Sequence, residues 1–160
     1  GPNKDKPVTV ADMKARGYEL HGWDPKSGKP LDSTLKELGL NVNYPGLGDH
    51  PDHELFGRLH CPEFGYSGIL TLDMGTQELA YQLMDMLQND YRFGYLAVSL
   101  GYFKTLFSNS GKSTSSEVPE EIQKEMGLSP GIIRFSVGLD HDIERTFNTI
   151  KSCLDELGYI

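Results

Sequence analysis

Cysteine is scarce in this chain of 160 residues: Cys61 and Cys153 are the only two, far apart and outside any CxxC pair. That spacing excludes a disulfide framework and a zinc knuckle, and it leaves two ordinary thiols of the kind a cytoplasmic protein keeps reduced. Positive charge is also short, with 15 Lys and Arg against 23 Asp and Glu and a formal net charge of −8. So negative a chain is repelled by nucleic acid and by an anionic membrane face, and neither is expected as a partner. No apolar run approaches the length that spans a bilayer, and the first residues lack the charged-then-apolar pattern of a secretory signal. A soluble, cytoplasmic protein is the expectation.

Several chemical signatures are missing as well. Ser110-Gly111-Lys112-Ser113-Thr114 resembles the end of a phosphate-cradling loop, but that motif needs a glycine five positions before Gly111, and residue 106 is Leu. His50, His53, His60 and Cys61 cluster without HExxH spacing, and His50 precedes Pro51 where a polar residue serves as a helix cap. No metal site is expected. Gly131 to Gly138 lies within a strand pattern, which excludes a dinucleotide fingerprint, and no Ser/His/Asp set sits in a nucleophile-elbow context.

Residues 1–39 form a polar lead-in segment punctuated by Pro and Gly, with a short helical signal at Ser33 to Leu38 and with Trp23 as a packing anchor. The start Gly1-Pro2 fits either a scar left by protease cleavage or a piece of a longer protein. From residue 40 onward the local signals agree with one another. Val42 to Tyr44 is strand-like and is stopped by Pro45 to Gly48; His50-Pro51 opens a helix with Leu55, Phe56 and Leu59 as its apolar stripe. Gly68 to Asp73 reads as a strand, and Thr76 caps a helix through Gln88 with Leu79, Ala80, Leu83, Met84 and Leu87 on one face. Tyr95 to Leu100 alternates, so Leu96, Val98 and Leu100 are expected to face the core. Asn109 to Val118 is a loop, Pro119 to Met126 a short helix closed by Gly127, and Ile132 to Leu139 the strongest strand. Asp140 then caps a last helix built on Ile143, Phe147, Ile150, Leu154 and Leu157. About four strands and three or four helices in mixed order give an α+β fold: a two-layer sandwich, its mostly antiparallel sheet carrying helices on one face.

Arg134 is the most informative residue. A guanidinium inside an apolar strand must be paired or bound, because burying it alone costs several kcal/mol, roughly. Two roles stay open: an internal salt bridge to one of many acidic residues, or a bidentate grip on a substrate carboxylate, which arginine's planar fork makes and lysine cannot copy. Ser99, on the less apolar side of its strand, offers a hydroxyl or a neighbouring N–H to the same anion.

Four segments in order, Val42 to Leu47 (VNYPGL), His50 to Leu55 (HPDHEL), Leu96 to Gly101 (LAVSLG) and Gly131 to Leu139 (GIIRFSVGL), carry a family resemblance. A fifth combines Ser113 to Ser116, Pro119-Glu120-Glu121 and Gly127 to Gly131. In these residues 40–160 resemble the C-terminal small domain of the cystathionine gamma-synthase and methionine gamma-lyase family, pyridoxal-phosphate enzymes of fold type I. The resemblance implies that Arg134 binds the α-carboxylate of the amino-acid substrate and that Ser99 is the second carboxylate contact. Thr114 stands where the family has a histidine, so a contact through that ring does not carry over.

Family members hold pyridoxal phosphate as a Schiff base on a lysine of a large N-terminal domain, which also supplies the phosphate-binding turn. None of the ten lysines here sits in that lysine's context. The resemblance therefore implies a substrate-binding piece that holds no cofactor and no catalytic residue of its own. Its partners would be the missing cofactor domain and a sulfur amino acid such as methionine, cystathionine, homocysteine or an O-acyl homoserine. The intact parent would be a homo-oligomer. The competing expectations are a free-standing α+β module that binds an amino acid or a protein, and a complete small enzyme of another type.

Overall fold

A computed structural model describes residues 39–61, 65–114, 117–139 and 143–160, without the side chains of 112, 114, 143 and 144. The lead-in segment with Trp23 and the Ser33 to Leu38 signal, and the capping residue Asp140, lie outside the described residues.

Five strands form one mixed sheet: β1 (Asn41–Asn43), β2 (Ile69–Asp73), β3 (Tyr95–Leu96), β4 (Leu106–Asn109) and β5 (Ile132–Ser136), in the order β1-β2-β5-β4-β3. Three of the four pairings are antiparallel, and β3 runs parallel to β4 at the edge. Among the described residues the α-helices are α1 (His53–Leu59), α2 (Gln77–Asp85), α3 (Glu120–Glu125) and α4 (Ile143–Glu156). The α+β class holds, with one strand more than expected.

Alternation in β5 decides the sheet's two faces. Ile133 and Phe135 are buried, and their cross-strand partners Leu72, Leu70 and Phe107 share their side, because directly paired residues project from the same face. On that face the buried core continues into Ala80, Leu83 and Met84 of α2, Leu87 just after it, and Cys153 and Leu154 of α4. Arg134, Ser136, Thr71, Leu106 and Ser108 project from the opposite face.

Local chemistry sets the helix ends. The Thr76 hydroxyl accepts from the Leu79 N–H at 3.3 Å, capping α2 as its position predicts. α2 then loosens into a π-helical turn, Met86–Asp90. Gly127, at φ +70°, closes α3 while Leu128 N–H reaches back to the Gln123 carbonyl at 2.9 Å, a left-handed stop that glycine adopts without a Cβ penalty.

Two expectations need correction. Only Tyr95 and Leu96 of the Tyr95 to Leu100 stretch are in a strand, and Leu96, Val98 and Leu100 are 51%, 61% and 59% exposed instead of core-facing. The reason is topological: β3 is an edge strand, and the core place beside β5 belongs to Phe107 of β4, a strand too short to announce itself. The last strand also ends early, at Ser136, leaving Leu139 exposed.

Burial fixes the reactivity of the two thiols. Cys153 is fully buried, and burial, aided by the nearby Glu156 and Asp90 carboxylates, pushes its pKa up to about 11, whereas Cys61 is exposed. A thiol-titrating disulfide reagent should therefore modify one cysteine in the native chain and both in denaturant. Rapid modification of both in the native chain would show that the α4 packing is open.

Candidate functional site

Arg134 stands at the middle of β5, flanked by Thr71 of β2 and Ser108 of β4 in the same row. Its Nη2 donates to the Ser99 carbonyl oxygen at 2.7 Å. The two residues singled out in the sequence, 35 positions apart, are thus brought together. Among the described residues, Arg134 meets this carbonyl and no carboxylate, in a chain with 23 acidic residues. The internal salt bridge that residue pattern left open is therefore not formed by these residues.

What carries Ser99 there is the connection from β3 to β4, which crosses the open face of the sheet and is stitched to β5. Gly101 N–H donates to the Ser136 hydroxyl at 3.0 Å, Leu139 N–H to the Phe103 carbonyl at 2.8 Å, and Gly138 N–H to the Thr105 hydroxyl at 3.1 Å. Gly138 is required for that approach, since a Cβ there would lie 2.4 Å from the Lys104 carbonyl carbon and 2.5 Å from the Thr105 nitrogen. Backbone cannot rotate out of the way as a side chain can. Gly138→Ala should cost about 1–3 kcal/mol in urea unfolding. A change below a few tenths would mean the connection is not pinned there.

Two described side-chain atoms are buried with no hydrogen-bond partner, the Arg134 Nε and the Ser108 hydroxyl oxygen. An unsatisfied buried polar group costs about 1–3 kcal/mol, so two in one row of the sheet are not incidental. Ser108 also lines a cleft of about 500 Å³ with Ala97 and Val98, the residues leading to Ser99. Sequence reasoning missed Ser108 because nothing in LFSN marks a buried strand; the only signal was the Leu106-Phe107 pair.

His53 and His60 serve packing. His53 Nδ1–H donates to the Pro45 carbonyl at 2.9 Å and its Nε2 accepts from the Tyr66 hydroxyl at 3.1 Å. The Tyr66 ring lies 4.7 Å from His53 and 4.4 Å from His60, spanning the two turns of α1 that separate them. Gly57 makes room, since a Cβ there would come within 3.1 Å of the Tyr66 hydroxyl. Ser110 to Thr114 forms a π-helical turn after β4, and the side chains of Lys112 and Thr114 are outside the described set.

No helix among the described residues is long and apolar enough to cross a membrane. Residues 37–151 match the model of the Cys/Met metabolism PLP-dependent enzyme family. A methionine gamma-lyase of Arabidopsis thaliana is 48% identical over 73% of this chain and 26% of its own length. A cystathionine gamma-lyase of Bacillus subtilis is 31% identical over 94% of this chain and 46% of its own. The chain thus spans less than half the length of these relatives. A crystal structure of a putative O-acetylhomoserine (thiol)-lyase from Campylobacter jejuni, which holds a pyridoxyl-lysine phosphate, superposes with a TM-score of 0.64 at 26% identity, covering 78% of this chain and 29% of that one. Cystathionine gamma synthase from Xanthomonas oryzae, solved with cystathionine, gives 0.66 at 23% identity over 92% of this chain and 35% of that one, a likeness of fold.

Proposed function

The chain belongs to the family of pyridoxal-phosphate-dependent enzymes of cysteine and methionine metabolism, and we propose that residues 40–160 are the small domain that holds the substrate's α-carboxylate. Arg134 grips the carboxylate through its planar fork, and Ser99 flanks it. The substrate class is a sulfur-containing amino acid: methionine, cystathionine, homocysteine or an O-acyl homoserine. One observation carries the reading: a half-buried arginine on a central strand, met by a backbone carbonyl and by no described carboxylate. Such a guanidinium keeps its charge free for an incoming anion.

The described residues do not fit the cofactor itself. Lys104, Lys124 and Lys151, the lysines with described side chains, are all exposed. Lys104 Nζ sits 5.3 Å over the Tyr95 ring. The cofactor and its lysine are contributed from outside this segment, whose own work is orientation. Pinning the carboxylate fixes rotation about its bond to Cα, and so fixes which substituent of Cα faces the reacting group.

The exposed apolar run beside Ser99, with Leu96, Val98, Leu100, Tyr102 and Phe103 all about half exposed or more, supports a covering domain on this face. Without its cover the segment should self-associate at micromolar concentration in sedimentation, and a strict monomer would count against a covered face. The free Cys61 and Cys153 support a reducing, cytoplasmic setting.

The reading is tested by titrating L-methionine into wild type and Arg134→Ala. Weak binding, about millimolar, that disappears in the variant is expected, because on this reading the segment supplies only part of the site. Equal binding by both proteins would sink the reading. Micromolar binding would favour a self-sufficient amino-acid-binding module. Uptake of pyridoxal phosphate as a borohydride-sensitive visible band would contradict the division of labour.

A further inference from the structure

The Arg134 Nε–H is a donor and the Ser108 oxygen an acceptor, and they are the two buried side-chain atoms left without partners among the described residues. They belong to residues directly opposite each other in the β4–β5 ladder, which project from the same face. Each is therefore a complementary group directly across the ladder from the other, yet the bond is not made. What holds the guanidinium away is visible: its Nη2 is engaged by the Ser99 carbonyl at 2.7 Å. A carbonyl oxygen is a neutral stand-in for a carboxylate oxygen, and a carboxylate is the stronger acceptor for the same N–H.

We propose that Ser108 is a positioning residue for Arg134, accepting the Nε–H bond when a carboxylate takes the place of the Ser99 carbonyl. In the resting form Arg134 is capped by its own backbone. In the occupied form the guanidinium turns toward the anion, Nε–H meets the Ser108 oxygen, and the fork is locked in plane. Ser108 is 1% exposed, so the hydroxyl is shielded from water that would compete for the bond. The cleft it lines with Ala97 and Val98 leaves space beside it for the connection to shift. The inference rests on Arg134 being the carboxylate grip.

This arrangement has a signature that a merely structural serine lacks. Because the hydroxyl is unsatisfied at rest, Ser108→Ala should melt no lower than wild type; because the bond forms on occupancy, the same variant should bind L-methionine about tenfold more weakly. The Arg134 Nε–H signal in nitrogen-15 NMR should shift and become protected from exchange when L-methionine is added to the wild-type chain, and should not do so in Ser108→Ala. Ser108→Thr, which keeps the hydroxyl, should restore the response. An unchanged backbone amide spectrum in each variant shows that the fold is kept. If Ser108→Ala binds L-methionine as wild type does, with the same Nε–H response, this inference is overturned while the carboxylate reading stands. If no Arg134 signal of the wild type responds up to the solubility limit of the amino acid, both fall. A Ser108→Ala chain that unfolds or melts well below wild type would also overturn it, since the hydroxyl would then have a resting partner.

Discussion

Replacing Arg134 by lysine should lower kcat/KM for a sulfur amino acid about tenfold to a hundredfold in an enzyme that joins this segment to a cofactor domain, and replacement by alanine about a thousandfold. Lysine keeps the charge, so a loss there measures geometry. Its ammonium is a point donor that cannot present two parallel N–H groups to a carboxylate. Alanine removes the charge as well; truncating one partner of a desolvated charge pair costs about 2–5 kcal/mol, and each 1.4 kcal/mol is tenfold. For lysine the loss should fall mainly on KM, with kcat drifting down as the carboxylate pivots. An enzyme indifferent to the lysine substitution would show that the anion is held elsewhere.

Phe107→Ala should be the most damaging core substitution, costing about 3–5 kcal/mol of the 5–15 kcal/mol or so that a domain has in total. The Phe107 side chain is 0% exposed and its ring lies 5.9 Å from that of Phe135, at the point where β4 joins β5. Its carbonyl accepts from the Ala97 N–H at 3.0 Å, which is how β3 is attached to the sheet and how the run toward Ser99 begins. A cavity there therefore loosens the same connection that caps Arg134. Urea unfolding gives the stability, and the Arg134 to Ser99 contact can be followed through the Arg134 side-chain NMR signals. A loss below about 1 kcal/mol would mean that the neighbouring side chains close over the gap, contrary to a packed core.

What the residues announced and what they concealed follow one physical line. Period-two alternation in Ile132 to Ser136 and helical spacing in Leu79 to Leu87 are strong because a buried face selects apolar side chains at every contact. Thr76 and Gly127 were readable because capping and left-handed stops demand particular residues. Leu96, Val98 and Leu100 obey the same alternation yet are exposed. Periodicity reports that a face is apolar, and it does not report where that face points; these side chains alternate without facing the segment's own core. β4 was silent because its four residues include two polar ones, Ser108 and Asn109, that are buried all the same. Arg134 was conspicuous as a charge in an apolar strand, and Ser99 was singled out beside it, but for its hydroxyl or a neighbouring N–H; the carbonyl that meets Arg134 contributes no letter to the pattern.

The most direct test of the central claim compares L-methionine with its amide, which differs by loss of the carboxylate charge, on wild type and on Arg134→Ala. The account predicts that the wild-type chain prefers the acid and that Arg134→Ala loses the preference, binding both compounds equally poorly. Binding of the amide as strongly as the acid by the wild-type chain, or a preference that survives in Arg134→Ala, would contradict it.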